Sequence, residues 1–302
     1  GLKTQRDAWC YNSLKTKLEA NIENTISFYN EQQLAFHQAK ATNLDLEVKS
    51  FVNYDSSKIS WTRALEWDVE KGKKHSVDSG NIVTALYRPF FKQHLYFARS
   101  LNEMVYQIPK LFPNPNINNL VICVTGNGTG KAFSALISNC IPDIQLQFNG
   151  QCFPLYYFEE QQKVTPGLFE AVGESEYIRR DGITDFIFKR AASIYGNNLN
   201  KEDVFYYVYG FLHNDDYRKV FKDDLNKMLP RLPMVEDVRD FWKFSKAGRE
   251  LAELHINYES VPAYEGVNIT GAESGFYKVE KMRFPKKDQK DSIIYNSQIT
   301  IS

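Results

Sequence analysis

The sequence predicts an α+β fold in which a β-rich central core is flanked by N-terminal helices and a C-terminal helical part. Residues 13–50 are polar, lack Pro and Gly, and repeat an apolar residue about every four positions, which is typical of a helix. Residues 82–158 carry β-branched and aromatic runs broken by turn residues, which indicates strands. Helical spacing returns after residue 163.

The elements follow this order along the chain. Residues 53–80 combine a short helical piece with a basic loop at residues 71–75. Later helices are predicted at residues 185–195, 202–212, 214–230 (capped by Asn214 and stopped by Pro230) and 246–258. We therefore divide the chain into a helical lead-in, residues 1–80, and a second domain, residues 81–302. The second domain comprises a β-rich part (81–160), a mainly helical part (161–260) and a basic strand pair (275–302).

The pair of helices on either side of residue 213 allows two interpretations. Two helices joined by a tight turn can form a helix-turn-helix DNA reader, or simply a packing hairpin. The first helix is rich in aromatic residues, namely Phe205, Tyr206, Tyr207, Tyr209 and Phe211, which favours packing. His255 lies on the apolar stripe of the last helix, so we expect a core-edge histidine with a bonded ring.

Composition limits the function classes. Lys plus Arg equals Asp plus Glu at 37 each, so any nucleic-acid site must be a local patch. The chain has neither a membrane-length apolar run nor a signal-peptide pattern, and we expect a cytoplasmic protein with no membrane partner. The four cysteines are widely spaced and predicted to be reduced, and the spacing of Cys and His predicts no metal site. The first residue is Gly and the last residues alternate, so we expect a piece of a longer polypeptide.

The glycine-rich segment VTGNGTGKAF, residues 124–133, superficially resembles a phosphate-binding loop. That loop requires G-x-x-x-x-G-K-[S/T], whereas Thr125 replaces the first glycine and Ala132 the metal-binding hydroxyl. The pattern favours a turn between strands; the alternative is a flexible basic loop that contacts a nucleic-acid phosphate.

Motifs for catalysis are weak. The chain contains neither a Pro-Pro dipeptide, which an adenine methyltransferase needs for its base-holding loop, nor a G-x-S-x-G elbow. Pro142-Asp143 followed by Gln161-x-Lys163 faintly matches a metal-dependent nuclease pattern, but Gln161 replaces an acid. A chance match is the competing interpretation.

Several blocks, taken together and in order, carry a family resemblance. They are GLKTQRDAW at the start, LYRPF from residue 86, FSAL from 133, IPD from 141, QCFPLY from 151, FYYVYG from 205, LPRLP from 229 and the segment from Ala247 to His255. This set resembles the C-terminal specificity region of Type ISP restriction-modification enzymes. The resemblance implies a non-catalytic target-recognition domain that binds double-stranded DNA and packs through residues 1–80 on the preceding methyltransferase part. S-adenosylmethionine, ATP and magnesium would serve other parts of the parent enzyme, and this fragment would hold no cofactor.

Under this resemblance, polar loop residues are the candidates for DNA contact. Arg or Lys reads guanine and Asn or Gln reads adenine, whereas other cations hold phosphates. The base-reading candidates are Asn114, Asn116, Asn118, Asn127, Lys131, Arg179, Arg180 and Asp181. The phosphate candidates are Lys3, Arg6, Lys71, Lys73 and Lys74.

Structural alternatives stand beside these assignments. For Arg179 and Arg180 the alternative is a solvated ion-pair cluster with Glu174, Glu176 and Asp185. Asn114 and Asn116 alternate with prolines and can serve the turn itself, and Arg88 is expected to pair with a carboxylate inside the protein. A different function also remains open, in which the chain is a docking scaffold between enzyme parts.

Overall fold

The computed structural model describes residues 1–161 and 176–302, and it divides into a unit Gly1–Tyr258 and a unit Glu259–Ser302. The division lies far from the boundary predicted near residue 80, because the lead-in and the β-rich part share one apolar core that runs from Leu2 to Leu146. The lead-in is therefore continuous with the β-rich part.

The first part of the larger unit alternates helices and short strands. These elements are α1 (Asp7–Cys10), β1 (Tyr11–Asn12), α2 (Lys15–Lys40), α3 (Val48–Phe51), α4 (Arg63–Glu70), β2 (Ile82–Arg88), β3 (Phe91–Tyr96) and α5 (Ile108–Leu111). The apolar stripe predicted for residues 13–50 is buried along α2, at Leu18, Ile22, Ile26 and Tyr29. The helix ends at Lys40, ten residues before the predicted limit.

The β-rich part predicted for residues 81–160 forms, and one further strand lies beyond it, at residues 177–181, in the part predicted to be mainly helical. Its strands are β4 (Val121–Val124), β5 (Ala135–Ser138), β6 (Ile141–Pro142), β7 (Gln151–Pro154), β8 (Tyr156–Glu160) and β9 (Tyr177–Asp181). One sheet has the order β1-β3-β2-β6, with β2 and β6 parallel; a second has the order β5-β4-β7, antiparallel throughout; and β8 pairs with β9.

Strand β4 lies between two apolar cores. Val121 and Cys123 point into the core shared with the lead-in, whereas Ile122 and Val124 point into a second core formed with the C-terminal helices. Because successive side chains of a strand point to opposite faces, a strand covered on both faces reads as a continuous apolar run. Strands β4 and β5 therefore form an internal layer, and the turn between them projects from a rigid support.

The C-terminal helices are α6 (Asp185–Tyr195), α7 (Lys201–Leu212), α8 (Asp215–Val220), α9 (Lys222–Leu225) and α10 (Val238–Ile256). Asn200 and Asp203 form a capping box at the start of α7, and the Asn214 side chain caps α8 as predicted. Helix α8 stops at Val220 because Phe221 leaves the helical conformation, so the extension to Pro230 is wrong. Helix α10 begins at Val238, eight residues before its predicted start.

The aromatic residues of α7 pack inside the protein. Phe205, Tyr207 and Tyr209 are buried, and the Tyr209 hydroxyl accepts a hydrogen bond of 3.1 Å from the Ile137 backbone N–H of β5. The His255 Nδ1 lies 2.6 Å from the same hydroxyl, which confirms the expected bonded histidine. These contacts favour the packing hairpin over the helix-turn-helix reader.

The smaller unit contains β10 (Ile269–Thr270), β11 (Ile293–Ile294) and β12 (Thr300–Ile301), in the order β10-β12-β11. Within residues 275–302, where a basic strand pair was predicted, β11 and β12 pair antiparallel over two residues each. Lys278, Lys281, Lys286, Lys287 and Lys290 lie outside these strands, and Arg283 makes one isolated bridge to Ile294. The strand pair therefore forms without the basic residues that the prediction placed in it.

Candidate nucleic-acid interface

The glycine-rich segment is the turn that joins β4 to β5. The Thr125 N–H donates to the Ser134 carbonyl at 3.0 Å, and the Ser134 N–H donates to the Thr125 hydroxyl at 2.9 Å. Gly128 and Gly130 have φ values of 71° and 67°, which explains why glycine occupies these positions. Since the segment leads into a strand, no helix N-terminus follows it to bind phosphate, and the turn interpretation is confirmed.

A second turn packs against the first. Residues 147–150 precede β7, and the Gly126 N–H donates to the Gln147 carbonyl at 3.2 Å. A Cβ at Gly126 would lie 2.3 Å from the Asn149 carbonyl oxygen, so the two turns touch through their backbones. We call residues 126–131 and 147–150 together the sheet tip.

The sheet tip exposes a small set of side chains suited to nucleic acid. Asn127, Lys131, Phe148 and Asn149 are exposed, and the Lys131 Nζ lies 5.3 Å from the centroid of the Phe148 ring. An amide, an ammonium group and an aromatic ring supply a base-edge hydrogen bond, a contact to guanine or phosphate, and a stacking surface. Two predicted base-reading residues, Asn127 and Lys131, therefore lie together.

The predicted residues Asn114, Asn116 and Asn118 lie at the opposite end of β4. A four-residue strand spans roughly 13 Å, so this loop and the sheet tip form two separate groups. The Asn114 Oδ1 accepts from the Asn116 N–H at 3.0 Å, which confirms that Asn114 serves the turn. Asn116 and Asn118 are exposed, and Asn118 lines a cavity of about 500 Å³ that also includes Asn114 and Asn139.

The base-reading candidates on β9 have protein partners. The Arg180 Nε lies 3.0 Å from the Glu159 carboxylate, and the Asp181 carboxylate accepts from Lys201 at 2.8 Å. The Arg179 guanidinium lies 4.3 Å from the centroid of the Tyr156 ring.

These contacts agree with the ion-pair alternative in kind, but among the described residues the partner of Arg180 is Glu159, which was not among the predicted partners. Glu159 pairs with Arg180 and Lys201 with Asp185, whereas Glu174 lies outside the described residues. Because the ion pairs are largely exposed, they leave these side chains able to exchange partners at low energetic cost.

Four of the five phosphate candidates remain accessible. Lys71 and Lys73 are exposed, with Lys71 5.6 Å from the Trp67 ring centroid and Lys73 3.3 Å from the Asp68 carboxylate. Lys74 is exposed in the same loop. Lys3 is half-buried, and its backbone pairs with Met104. Exposed lysines of this kind can hold a DNA backbone without reading its sequence.

The prediction that Arg6, the fifth candidate, contacts a phosphate is wrong. The residue is only 2% exposed, and its guanidinium donates to the carbonyls of Ser60 and Leu101 at 3.0 and 2.8 Å. Its Nη2 also bonds to the Thr62 hydroxyl and lies 3.5 Å from the Glu103 carboxylate. An enclosed guanidinium with these partners joins three segments of the chain and is not placed to reach a phosphate.

Asp143, the acidic residue of the nuclease alternative, has a structural role. The Asp143 carboxylate accepts from Arg88 Nη1 and from the Gln145 N–H, both at 2.8 Å, and from the Tyr11 hydroxyl at 3.2 Å. Burial raises the pKa of Asp143, partly offset by the Gln145 N–H and Arg88. Arg88 thus has the expected carboxylate partner, and Lys163 lies outside the described residues. Within residues 1–161 and 176–302, three metal-ligating side chains do not come together anywhere.

Two residues that shape the candidate interface were not predicted from the sequence. Asn119 is buried and holds β8 in place: its Nδ2 donates to the carbonyls of Leu111 and Tyr156, and its Oδ1 accepts from the Tyr156 N–H at 3.1 Å. Phe148 reaches the surface at the sheet tip. The Asn149-Gly150 dipeptide was the available signal, since Asn-Gly marks a tight turn.

The fold and the exposed turns define a binding domain supported by an internal sheet. The family model for the Type ISP C-terminal specificity domain matches residues 1–302. The chain therefore belongs to the Type ISP C-terminal specificity domain family, as its sequence blocks predicted. A comparison with curated proteins found no match.

Solved structures give the same relationship. The chain is 32% identical, with a TM-score of 0.76, to a nuclease-deletion mutant of the Type ISP restriction-modification enzyme LlaGI in complex with a DNA substrate mimic. It is 34% identical, with a TM-score of 0.78, to the ATP-dependent Type ISP restriction-modification enzyme LlaBIII bound to DNA. It is 27% identical, with a TM-score of 0.80, to DrdV in a DNA complex. Each match covers 100% of this chain but only 22%, 18% and 28% of the three larger chains.

In the part of the chain that the structure describes, helices long and apolar enough to span a membrane are absent.

Proposed function

We propose that this chain recognises a short sequence in duplex DNA and thereby directs adenine methylation and ATP-dependent restriction by a parent Type ISP enzyme. The observation that carries the proposal is the family match over residues 1–302. The similarity of the chain to enzymes whose structures were solved in complex with DNA supports DNA as its ligand. The protein would act on DNA in the cytoplasm.

The sheet tip is the part of the domain best suited to reading bases. Asn127 and Lys131 are exposed there, and the turns that carry them are fixed by the covered sheet below. A fixed support matters because base readout depends on hydrogen-bond geometry, with each good bidentate contact contributing roughly 1–3 kcal/mol of discrimination. We assign Asn116 and Asn118 to a second group of base-reading residues. Arg179, Arg180 and Asp181 on β9 would contact DNA only after giving up their present protein partners, so we assign them a supporting role.

Phosphate contacts would come from Lys71, Lys73, Lys74 and Lys3. The formal net charge of the chain is zero, so its electrostatic attraction for DNA is weak compared with that of a basic protein. We therefore propose that the methyltransferase part of the same polypeptide, packed against residues 1–80, holds much of the DNA backbone. The chemistry would belong to that part and to the helicase-like and nuclease parts, with their S-adenosylmethionine, ATP and magnesium, while this domain would be non-catalytic.

The test is a selection of bound duplexes from a randomised DNA pool. The 302-residue chain is used alone and joined to the methyltransferase part, at about 50 mM salt so that phosphate contacts are not screened. Enrichment of one short asymmetric motif by either form, but not by the methyltransferase part alone, is the expected result. If the methyltransferase part selects the same motif without this chain, the chain is a docking scaffold and the proposal fails.

A further inference from the structure

Phe148 adopts an unusual backbone conformation at the sheet tip. Its φ is 50°, and the next residue, Asn149, has a φ of 59°. The left-handed region is unfavourable for residues with a Cβ and especially for bulky side chains, whereas Gly and Asn tolerate it. The residue is nevertheless 43% exposed. An aromatic residue thus occupies a position where glycine or asparagine would fit the backbone better and would expose less apolar surface.

The surrounding backbone imposes this conformation. The Phe148 N–H donates to the Gln145 carbonyl at 3.3 Å, and the Gly150 N–H donates to the Ile144 carbonyl at 3.0 Å. The contact between Gly126 and the Asn149 carbonyl closes the turn from the other side. Strained residues that the surrounding structure fixes in this way concentrate at functional sites. The structure therefore holds the Phe148 ring outward at a defined place.

The neighbourhood of the ring points to the class of ligand. The Lys131 Nζ lies 5.3 Å from the ring centroid, and the exposed amides of Asn127 and Asn149 belong to the same two turns. A lone apolar contact would suit a protein surface, but an aromatic ring beside an ammonium group suits a nucleotide. Its base offers a face for stacking and its phosphate offers a negative charge.

We propose that Phe148 stacks its ring against a base of the bound duplex, as a wedge at a base step, while Lys131 contacts the adjacent base edge. This inference rests on the proposed function and adds a residue and a mode of contact to it. Aromatic wedges act by partly unstacking a base step, which favours sequences whose steps unstack easily. Phe148 would thereby contribute specificity without a hydrogen bond to any base.

The test exploits opposite effects on folding and on binding. Phe148→Asn places a residue that tolerates the left-handed region, so we expect its thermal midpoint to stay unchanged or to rise by about 2 °C. Its affinity for a 30-base-pair duplex carrying the selected motif should nevertheless fall by about tenfold, because the stacking contact is lost. Phe148→Tyr keeps the ring and should retain the affinity.

Phe153 supplies the matched control, since it is 42% exposed on strand β7 of the same sheet. Phe153→Thr retains a residue suited to a strand and should change the affinity by no more than about twofold. Equal losses of affinity in Phe153→Thr and Phe148→Asn would overturn the inference, because they would show a general effect of removing exposed apolar surface.

A fluorescent base gives a direct readout of stacking. Duplexes carry 2-aminopurine at successive positions of the motif, and its emission reports whether that base remains stacked. We expect the parent and Phe148→Tyr to change the emission at one position and Phe148→Asn to leave it at the level of free DNA. A parent that selects no duplex in any form overturns the proposed function together with this inference. Equal affinity and emission in parent and Phe148→Asn overturn the inference alone.

Discussion

Replacement of Arg6 tests whether this arginine stabilises the fold or binds DNA. The residue is buried. Burial lowers the pKa of its guanidinium and outweighs Cys10 and Glu103, which raise that pKa. Arg6→Ala would remove the donors now used by the carbonyls of Ser60 and Leu101 and leave the Glu103 carboxylate without its counter-charge. Each group left unsatisfied costs roughly 1–3 kcal/mol, and breaking a buried ion pair costs about 3–5 kcal/mol.

Because these costs overlap, we expect Arg6→Ala to lower the free energy of unfolding by about 3–5 kcal/mol. That loss is a large fraction of the roughly 5–15 kcal/mol by which a domain is stable. Arg6→Lys keeps the charge but has only one nitrogen to serve partners in three directions, so it should recover only part of the loss. The assay is urea unfolding monitored by tryptophan fluorescence.

Lys74→Ala is the control, because an exposed side chain changes stability by no more than about 0.5 kcal/mol. For Lys74→Ala we expect a shallower dependence of DNA affinity on salt, by up to about one in the log–log slope. If Arg6→Ala is as stable as the parent and instead produces that change in salt dependence, Arg6 is a DNA-binding cation and not a structural one.

Two further predictions concern the C-terminal helices. Burial, with Arg218 beside the ring, lowers the pKa of His213 from 6.5 to about 4, so the unfolded chain takes up a proton at a higher pH than the folded chain. The free energy of unfolding should therefore decrease as the pH falls from about 6.5 to about 4, by at most about 3 kcal/mol from this group. Urea unfolding of the parent and of His213→Gln across that pH range should show a smaller decrease in the variant. Identical pH profiles of the two proteins would contradict the assignment. A Cβ at Gly248 would lie 2.0 Å from the Tyr206 carbonyl oxygen, where α7 and α10 cross, so Gly248→Ala should cost about 1–3 kcal/mol in the same assay. Lys246→Ala, on the exposed face of α10, should have no such effect, and equal stability of the two variants would disprove the close crossing.

The sequence was most informative where local patterns and tertiary packing agree. Strand β4 lies within the segment predicted to be rich in strands, and Asn214 correctly marked a helix start, because apolar runs and capping side chains act locally. Helix α10 shows the limit of such reasoning. Its start at Val238 depends on Phe241, which packs against Tyr195 and Tyr207, residues far away in sequence.

Charge was the least reliable guide to the site. Arg6 and Lys74 look alike in the sequence, yet one is enclosed by three chain segments and the other is exposed. Arg180 and Lys131 both stand in or beside turns, but only the fold brings Glu159 next to Arg180. Phe148 carried no polar signal at all, and its importance appears only from its backbone conformation and from the cation beside its ring.

The most direct test of the account measures how Lys131→Ala changes base-pair preference. Binding is measured for the selected duplex and for every single base-pair change within it, with the parent, Lys131→Ala and Arg180→Ala. We predict that Lys131→Ala loses about 1–3 kcal/mol of discrimination at one position and keeps its preference elsewhere, whereas Arg180→Ala, whose side chain is paired with Glu159, changes the pattern little. A uniform loss of affinity at all positions, or an unchanged pattern in Lys131→Ala, would contradict base reading by the sheet tip.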